Sequence, residues 1–222
     1  MFYNFQKFIN SKFTIKKPIF IDVGANKGEW SHAMSKKYPD SKIYCFEPIK
    51  GITRKNKNIV LINKAVDRKV GTTKFFITRK NVTSSLLHQE RTIIDKFRDI
   101  KDKKGKIHKK SYYDIVKKIN VRTISLEKFI KAKKLQNIHY LKIDAEGNDL
   151  NVLKSLKKEI TKIWAFELET WNEKKTLWKK QKNLSACLKF IKKKDFRVVK
   201  KIIHGQGRTT DLICINNKYL KD

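Results

Sequence analysis

Pro18-Ile19-Phe20-Ile21-Asp22-Val23-Gly24-Ala25-Asn26-Lys27-Gly28 is the stretch whose reading decides the fold. Its apolar part is rich in β-branched and aromatic side chains and too brief for a helix, so it predicts a buried strand. The strand breaks at a glycine turn. From Glu29 to Lys37 the apolar Trp30, Ala33 and Met34 recur at helical spacing, until Tyr38-Pro39-Asp40 stops the element. A strand, a tight turn and a helix are therefore expected between residues 18 and 40.

Outward from this unit the alternation continues. Lys42–Phe46 and Ile59–Ile62 read as second and third strands, completing a β-α-β-α-β half, and 72–78 reads as a further extended piece. A polar stretch from His88 to Asn120 shows only short helical hints, at Ile93-Ile94-Phe97 and Tyr113–Val116, and is expected to be a lysine-rich lid or insertion. Regularity returns with a strand at Val121–Ile124, a helix over Leu126–Lys134 and a strand at Ile138–Ile143. A helix carrying Leu150, Leu153 and Leu156 follows, then a strand at Ile163–Phe166 and a helix over Leu177–Ile191. Phe196–Ile203 and Asp211–Ile215, joined by Gly205-Gln206-Gly207, predict a closing antiparallel hairpin. The expected fold is α/β: a mostly parallel seven-stranded sheet with helices on both faces and a C-terminal antiparallel hairpin. Residues 1–17 form an N-terminal extension and 18–222 a single domain, as expected for 222 residues with 40% hydrophobic content.

Composition narrows the function classes. No run approaches the roughly 20 apolar residues of a membrane span, and Met1–Lys17 lacks the apolar segment of a secretory signal, so a cytoplasmic protein with no membrane span is expected. Cys45, Cys187 and Cys214 sit far apart in apolar runs and read as core residues, not a disulfide frame. The formal net charge of +33 favours anionic surroundings, yet only eight of the 54 basic residues are arginine, and the lysines are spread along the whole chain. That is how a solvated surface looks, and AT-rich codons alone would enrich lysine.

In open α/β sheets, ligands sit beyond the carboxyl ends of the strands, near the switch in strand order. At that end lie Asp22, Gly24, Asn26 and Gly28, and Glu47 follows Gly24 by 23 positions. This is near the interval at which an acid accepts the ribose hydroxyls of an adenosine cofactor. The turn G-A-N-K-G is not the G-x-G-x-x-G of dinucleotide enzymes. A carboxylate as early as Asp22 would repel a pyrophosphate and favours a cofactor with a cationic amino-acid part. The bland alternative makes the glycines a packing turn and Glu47 a solvated strand end.

These residues, with CFEP at 45–48, INKAV at 62–66, SSL at 84–86, TISLEKF at 123–129 and above all YLKIDAEGNDLNVLKSL at 140–156, closely resemble the FkbM family of S-adenosylmethionine-dependent methyltransferases. The resemblance runs from about Ile19 to Ile215. It implies S-adenosylmethionine as cofactor and O-methylation of a hydroxyl on a sugar, glycan or other small metabolite. By that likeness Asp22, Gly24, Asn26 and Gly28 cradle the methionine part, Glu47 holds the ribose, and Asn63 to Ala65 line the adenine edge. The second acidic position is Asp149 here, where Glu is more usual, and 88–120 is long for the family.

Because the sulfonium is already activated, the protein must mainly align an acceptor oxygen and remove its proton. The expected base is Asp144 or Glu146, with Lys142 tuning them and Glu167 as a further base candidate. Glu146-Gly147 can equally be a plain turn, with Asp149 favouring the N-terminus of the next helix. No resident metal is expected, since the five histidines show no ligand spacing. Two rival readings stand beside this one: a nucleic-acid (RNA) methyltransferase using the basic surface, and a non-catalytic basic interaction protein on the same fold.

Overall fold

The computed structural model describes residues 15–49, 56–97, 100–101, 107–108 and 111–220. In chain order the strands are β1 (Ile19–Val23), β2 (Lys42–Phe46), β3 (Ile59–Ile62), β4 (Ala65–Val66), β5 (Gly71–Thr78), β6 (Ile100–Lys101), β7 (Ile107–His108), β8 (Ile115–Ile124), β9 (Tyr140–Ile143), β10 (Ala165–Trp171), β11 (Phe196–His204) and β12 (Thr209–Asn216). The α-helices are α1 (Glu29–Lys37), α2 (Arg91–Ile94), α3 (Leu126–Ala132), α4 (Asp149–Lys154) and α5 (Leu184–Lys193).

Seven strands form one sheet in the order β11-β12-β10-β9-β1-β2-β3. β1 lies at its centre, parallel to β2 on one side and to β9 on the other. The chain thus leaves β1 toward β3 at one edge and returns to the far side of β1 with β9, which makes the β1–β9 carboxyl end the switch point. β12 runs antiparallel between β10 and β11, as the hairpin signal predicted.

Alternation along each strand sends successive side chains to opposite faces. Ile21, Val23, Leu141, Ile143, Phe166 and Leu168 point to one face and pack with residues of α3, α4 and α5, among them Phe129, Leu153 and Ile191. Phe20, Ile43, Cys45, Tyr140 and Ala165 point to the other and pack beneath Met34 and Trp30 of α1. α1 begins after Gly28 and carries Glu29 in its first turn and Lys36 and Lys37 in its last, in accord with the helix dipole. The three cysteines are free and buried, and burial pushes the Cys45 and Cys187 thiols up to about 12.

Several element boundaries differ from expectation. The stretch read as a lid contains most of β8, a ten-residue strand that pairs antiparallel with β5 and parallel with β4 in a second, three-stranded sheet. The reading of Tyr113–Val116 as helical is corrected accordingly. β8 alternates Ile115, Ile119, Val121 and Thr123 inward, and Lys117-Lys118 in its middle masked that two-residue period. The expected helix over Leu177–Ile191 begins only at Leu184, where Asn183 caps it by accepting from the Ala186 amide at 3.2 Å. Leu177 and Trp178 lie before that cap and belong to a separate apolar cluster. The helix expected after residue 148 is short, Asp149–Lys154, and passes into a 3-10 segment over Lys157–Lys162. Residues 1–14 of the N-terminal extension, and residues 50–55 of the segment between β2 and β3 where a helix was expected, lie outside the described residues.

Candidate active site

The site begins where β1 and β9 end side by side. Gly24 has φ +76, and a side chain there would collide with the Asp144 carbonyl oxygen. Only glycine lets the two strand ends approach so closely. The Gly24 and Ala25 amides both donate to the Phe46 carbonyl, at 3.0 and 3.2 Å, so the turn is also tied to the end of β2.

Glu47 leaves β2 at this point and is half-buried. Its Oε2 accepts from the Asn26 amide and its Oε1 from the Ile49 amide, both at 2.9 Å. Burial raises its proton affinity and outweighs the lowering effect of the two amides. The Asn63 amide group donates to the Glu47 backbone carbonyl at 3.5 Å, and Ala65 opens β4 beside it, buried. Asn26, Glu47, Asn63 and Ala65 are therefore brought to one end of β1, β2 and β3.

Asp22 is fully buried. Its Oδ2 accepts from Ser31 of α1 at 2.6 Å, and its Oδ1 lies 3.6 Å from the Lys142 ammonium. The strand register explains the pairing, because Asp22 of β1, Lys142 of β9 and Glu167 of β10 are direct neighbours across three strands. Lys142 also contacts Asp144 at 3.2 Å. Burial works against its charge, but Asp22, Asp144 and Glu167 together overcome that and hold its pKa above the usual lysine value. Glu167, buried, accepts from the Tyr140 hydroxyl at 2.6 Å. The charges of Asp22 and Glu167 are thus engaged inside the protein, below the cleft floor.

The cleft itself is walled by the loop after β9. Glu146 has φ +47 and Gly147 φ +87. A side chain at Gly147 would strike the Trp178 ring, so the loop lies flat against that indole. Three ties hold it: Ser85 donates to the Glu146 carbonyl at 2.6 Å, and the Asp149 carboxylate accepts from the Ala145 and Gly147 amides, both at 2.9 Å. Asn148 reaches across to the Val66 carbonyl at 3.3 Å, joining loop to second sheet. Burial, opposed by its amide bonds and assisted by Asp144, lifts Asp149 to about 6. Glu146 is raised well above the ordinary carboxylate range, first by burial and then by Glu169, Asp144 and Asp149. Trp178, Trp171, Ile93, Ile94 and Leu177 form the apolar wall behind it, with the Tyr113 ring edge-on to Trp178 at 6.3 Å.

Sequence reasoning missed part of this constellation. Glu169 follows Glu167 by two residues and so shares its face, which is a signal the sequence did hold. Burial and the charges of Asp144, Asp149 and Asp211 push its carboxyl well up. Asp211 stands opposite Glu169 through the β10–β12 pairing, which local sequence does not reveal. His204, at the end of β11, reaches Asp211 with its Nε2 at 3.0 Å from Oδ1.

Comparison with known proteins follows the same lines. The family described as the methyltransferase FkbM domain matches residues 22–198. Among solved structures, methyltransferase FkbM from Methylobacillus flagellatus KT superposes with a TM-score of 0.52 at 11% identity, covering 89% of this chain and 44% of that one. This chain therefore spans less than half the length of that relative. TrmK of M. capricolum in complex with S-adenosyl-homocysteine gives 0.42 at 12% identity, covering 97% of this chain and 68% of that one. A putative ribosomal RNA methyltransferase from Plasmodium falciparum gives 0.44 at 12% identity, covering 96% and 94%. No curated protein matches. With the family pattern running from Asp22 at the end of β1 through β9, β10 and into β11, this chain belongs to the FkbM methyltransferase domain family.

Proposed function

We propose that the chain is an S-adenosylmethionine-dependent O-methyltransferase acting on a hydroxyl of a sugar, glycan or other small metabolite. The observation that carries the cofactor is Glu47. Each of its carboxylate oxygens is oriented by one backbone amide and retains a second acceptor position, which suits a pair of ribose hydroxyls. The Gly24 turn brings the ends of β1 and β9 together and is tied to the end of β2 beside Glu47. Asp22 serves this site from beneath, by fixing Lys142 and Ser31.

When bound, the cofactor supplies an electrophilic methyl group on a sulfonium. Glu146 would take the proton that the acceptor hydroxyl gives up on methylation. Burial has raised its proton affinity, which suits a base. Asp144, with 44% of its side chain exposed and Lys142 at 3.2 Å, faces the cleft as the second acid and orients the acceptor. Trp178 and Tyr113 exclude water on one side. Three free thiols fit a reducing, cytoplasmic compartment.

Conversion of S-adenosylmethionine to S-adenosylhomocysteine, measured with sugar and oligosaccharide acceptors, tests this reading. Glu146→Gln is expected to lower turnover about 10²-fold or more while leaving cofactor affinity within twofold; full turnover in both Glu146→Gln and Asp144→Asn would contradict the assignment. A second acceptor class is favoured by the +33 charge. An RNA acceptor would show turnover with RNA alone and binding that falls steeply as salt rises.

A further inference from the structure

We infer that Glu169, Asp211 and His204 form a binding site for a divalent cation of the Mn²⁺ type, beside the acceptor end of the cleft. Each residue offers one ligand atom, and the three atoms lie within 4.8 Å of one another. They come from three adjacent strands: Glu169 of β10 pairs with Asp211 of β12, and His204 ends β11. A set built on hydrogen-bonded strands holds its spacing better than one built on loops.

The imidazole is oriented as a ligand would be. Its Nδ1 lies 2.8 Å from the Thr209 hydroxyl, and its Nε2 points at Asp211 Oδ1 at 3.0 Å. With Nδ1–H donating to Thr209, Nε2 presents a lone pair to a cation shared with Asp211, the arrangement that outer hydrogen bonds impose on metal-binding histidines. Gly205, at φ +57, leaves room for the Thr209 hydroxyl, on which a side chain there would press at 2.6 Å.

The second observation is an excess of carboxylates over the nearby cations, Lys142 and Arg208, the latter already paired with Glu173 at 3.5 Å. The chain carries only 21 acidic residues against 54 basic ones. Yet Asp22, Asp144, Glu146, Asp149, Glu167, Glu169 and Asp211 gather at this one end of the sheet. Lys142 is engaged by Asp22 and Asp144. Glu169, largely enclosed, receives no hydrogen bond among the described residues. The sulfonium and ammonium of a cofactor seated over β1 do not answer this need, because β12 lies three strands away, about 14 Å at the usual strand spacing. One imidazole with two carboxylates and an exposed side suits a borderline-hard, partly hydrated ion better than Ca²⁺, which prefers an all-oxygen shell.

Titration of the full chain with MnCl₂ in the absence of cofactor, followed by loss of the free-ion electron paramagnetic resonance signal, tests the site independently of methyl transfer. The expected result is one site per chain, weakened at least tenfold in His204→Ala, Asp211→Asn and Glu169→Gln, and unchanged in Glu127→Gln on the distant α3. Circular dichroism confirms that the variants remain folded. No saturable binding, or an affinity that none of the three substitutions changes, would overturn the inference. Failure of cofactor binding would instead count against the methyltransferase reading alone.

Discussion

At the residue scale, the loop after β9 shows how one carboxylate can carry both structure and pH dependence. Asp149 is fixed by two backbone amides, and burial lifts its pKa to about 6 from an ordinary 3.8. The folded chain therefore binds this proton more tightly than the unfolded one. The group adds stability below about 3.8 and loses that contribution as pH rises through 6. Denaturant titration of the native chain and of Asp149→Asn, which cannot titrate, is expected to show the native chain gaining about 1 kcal/mol relative to the variant between pH 7 and pH 5. A gap that is constant with pH would show that the carboxylate is not raised. At pH 7 the variant is expected to be less stable by about 1–3 kcal/mol, because an amide has one acceptor oxygen for two backbone donors. The same scale explains what sequence could reveal here. Asp144, Glu146 and Asp149 were legible because they are adjacent in one motif, whereas Asp211 entered the site only through pairing with a strand more than 40 residues away.

At the element scale, local chemistry sets boundaries more firmly than hydrophobic period. Asn183 stops a continuous-looking apolar pattern from becoming a helix seven residues early, by capping Leu184–Lys193. Asn183→Ala is expected to cost about 1 kcal/mol in equilibrium unfolding, with no change in cofactor affinity; an unaltered midpoint would mean the cap contributes nothing. The first helix, β2 and β3 were legible to the residue and the first strand to within one, since short apolar runs bounded by Gly, Pro and Asp leave few alternatives. β8 was not, because edge-like lysines interrupt its alternation and its partner β5 lies some 40 residues earlier. The closing hairpin was legible in outline, but not that its strands deliver Asp211 and His204 to the cleft.

At the scale of the whole molecule, the design is a basic body with an acidic cleft. Glu47, Asp144, Glu146, Asp149, Glu169 and Asp211 lie toward one end of the sheet, above a buried row in which Asp22, Lys142 and Glu167 balance one another. That separation favours a cationic ligand at the switch point. Among the described residues no helix is long and apolar enough to cross a membrane. The central claim is that the β1–β2 end of the cleft holds S-adenosylmethionine through Glu47. Calorimetric titration with S-adenosylmethionine, S-adenosylhomocysteine and NAD, on the native chain and on Glu47→Ala, tests it most directly. Binding of the first two, weakened at least tenfold in the variant, with none of NAD, is the predicted result. Preference for NAD, or no binding of any of the three by the native chain, would contradict it.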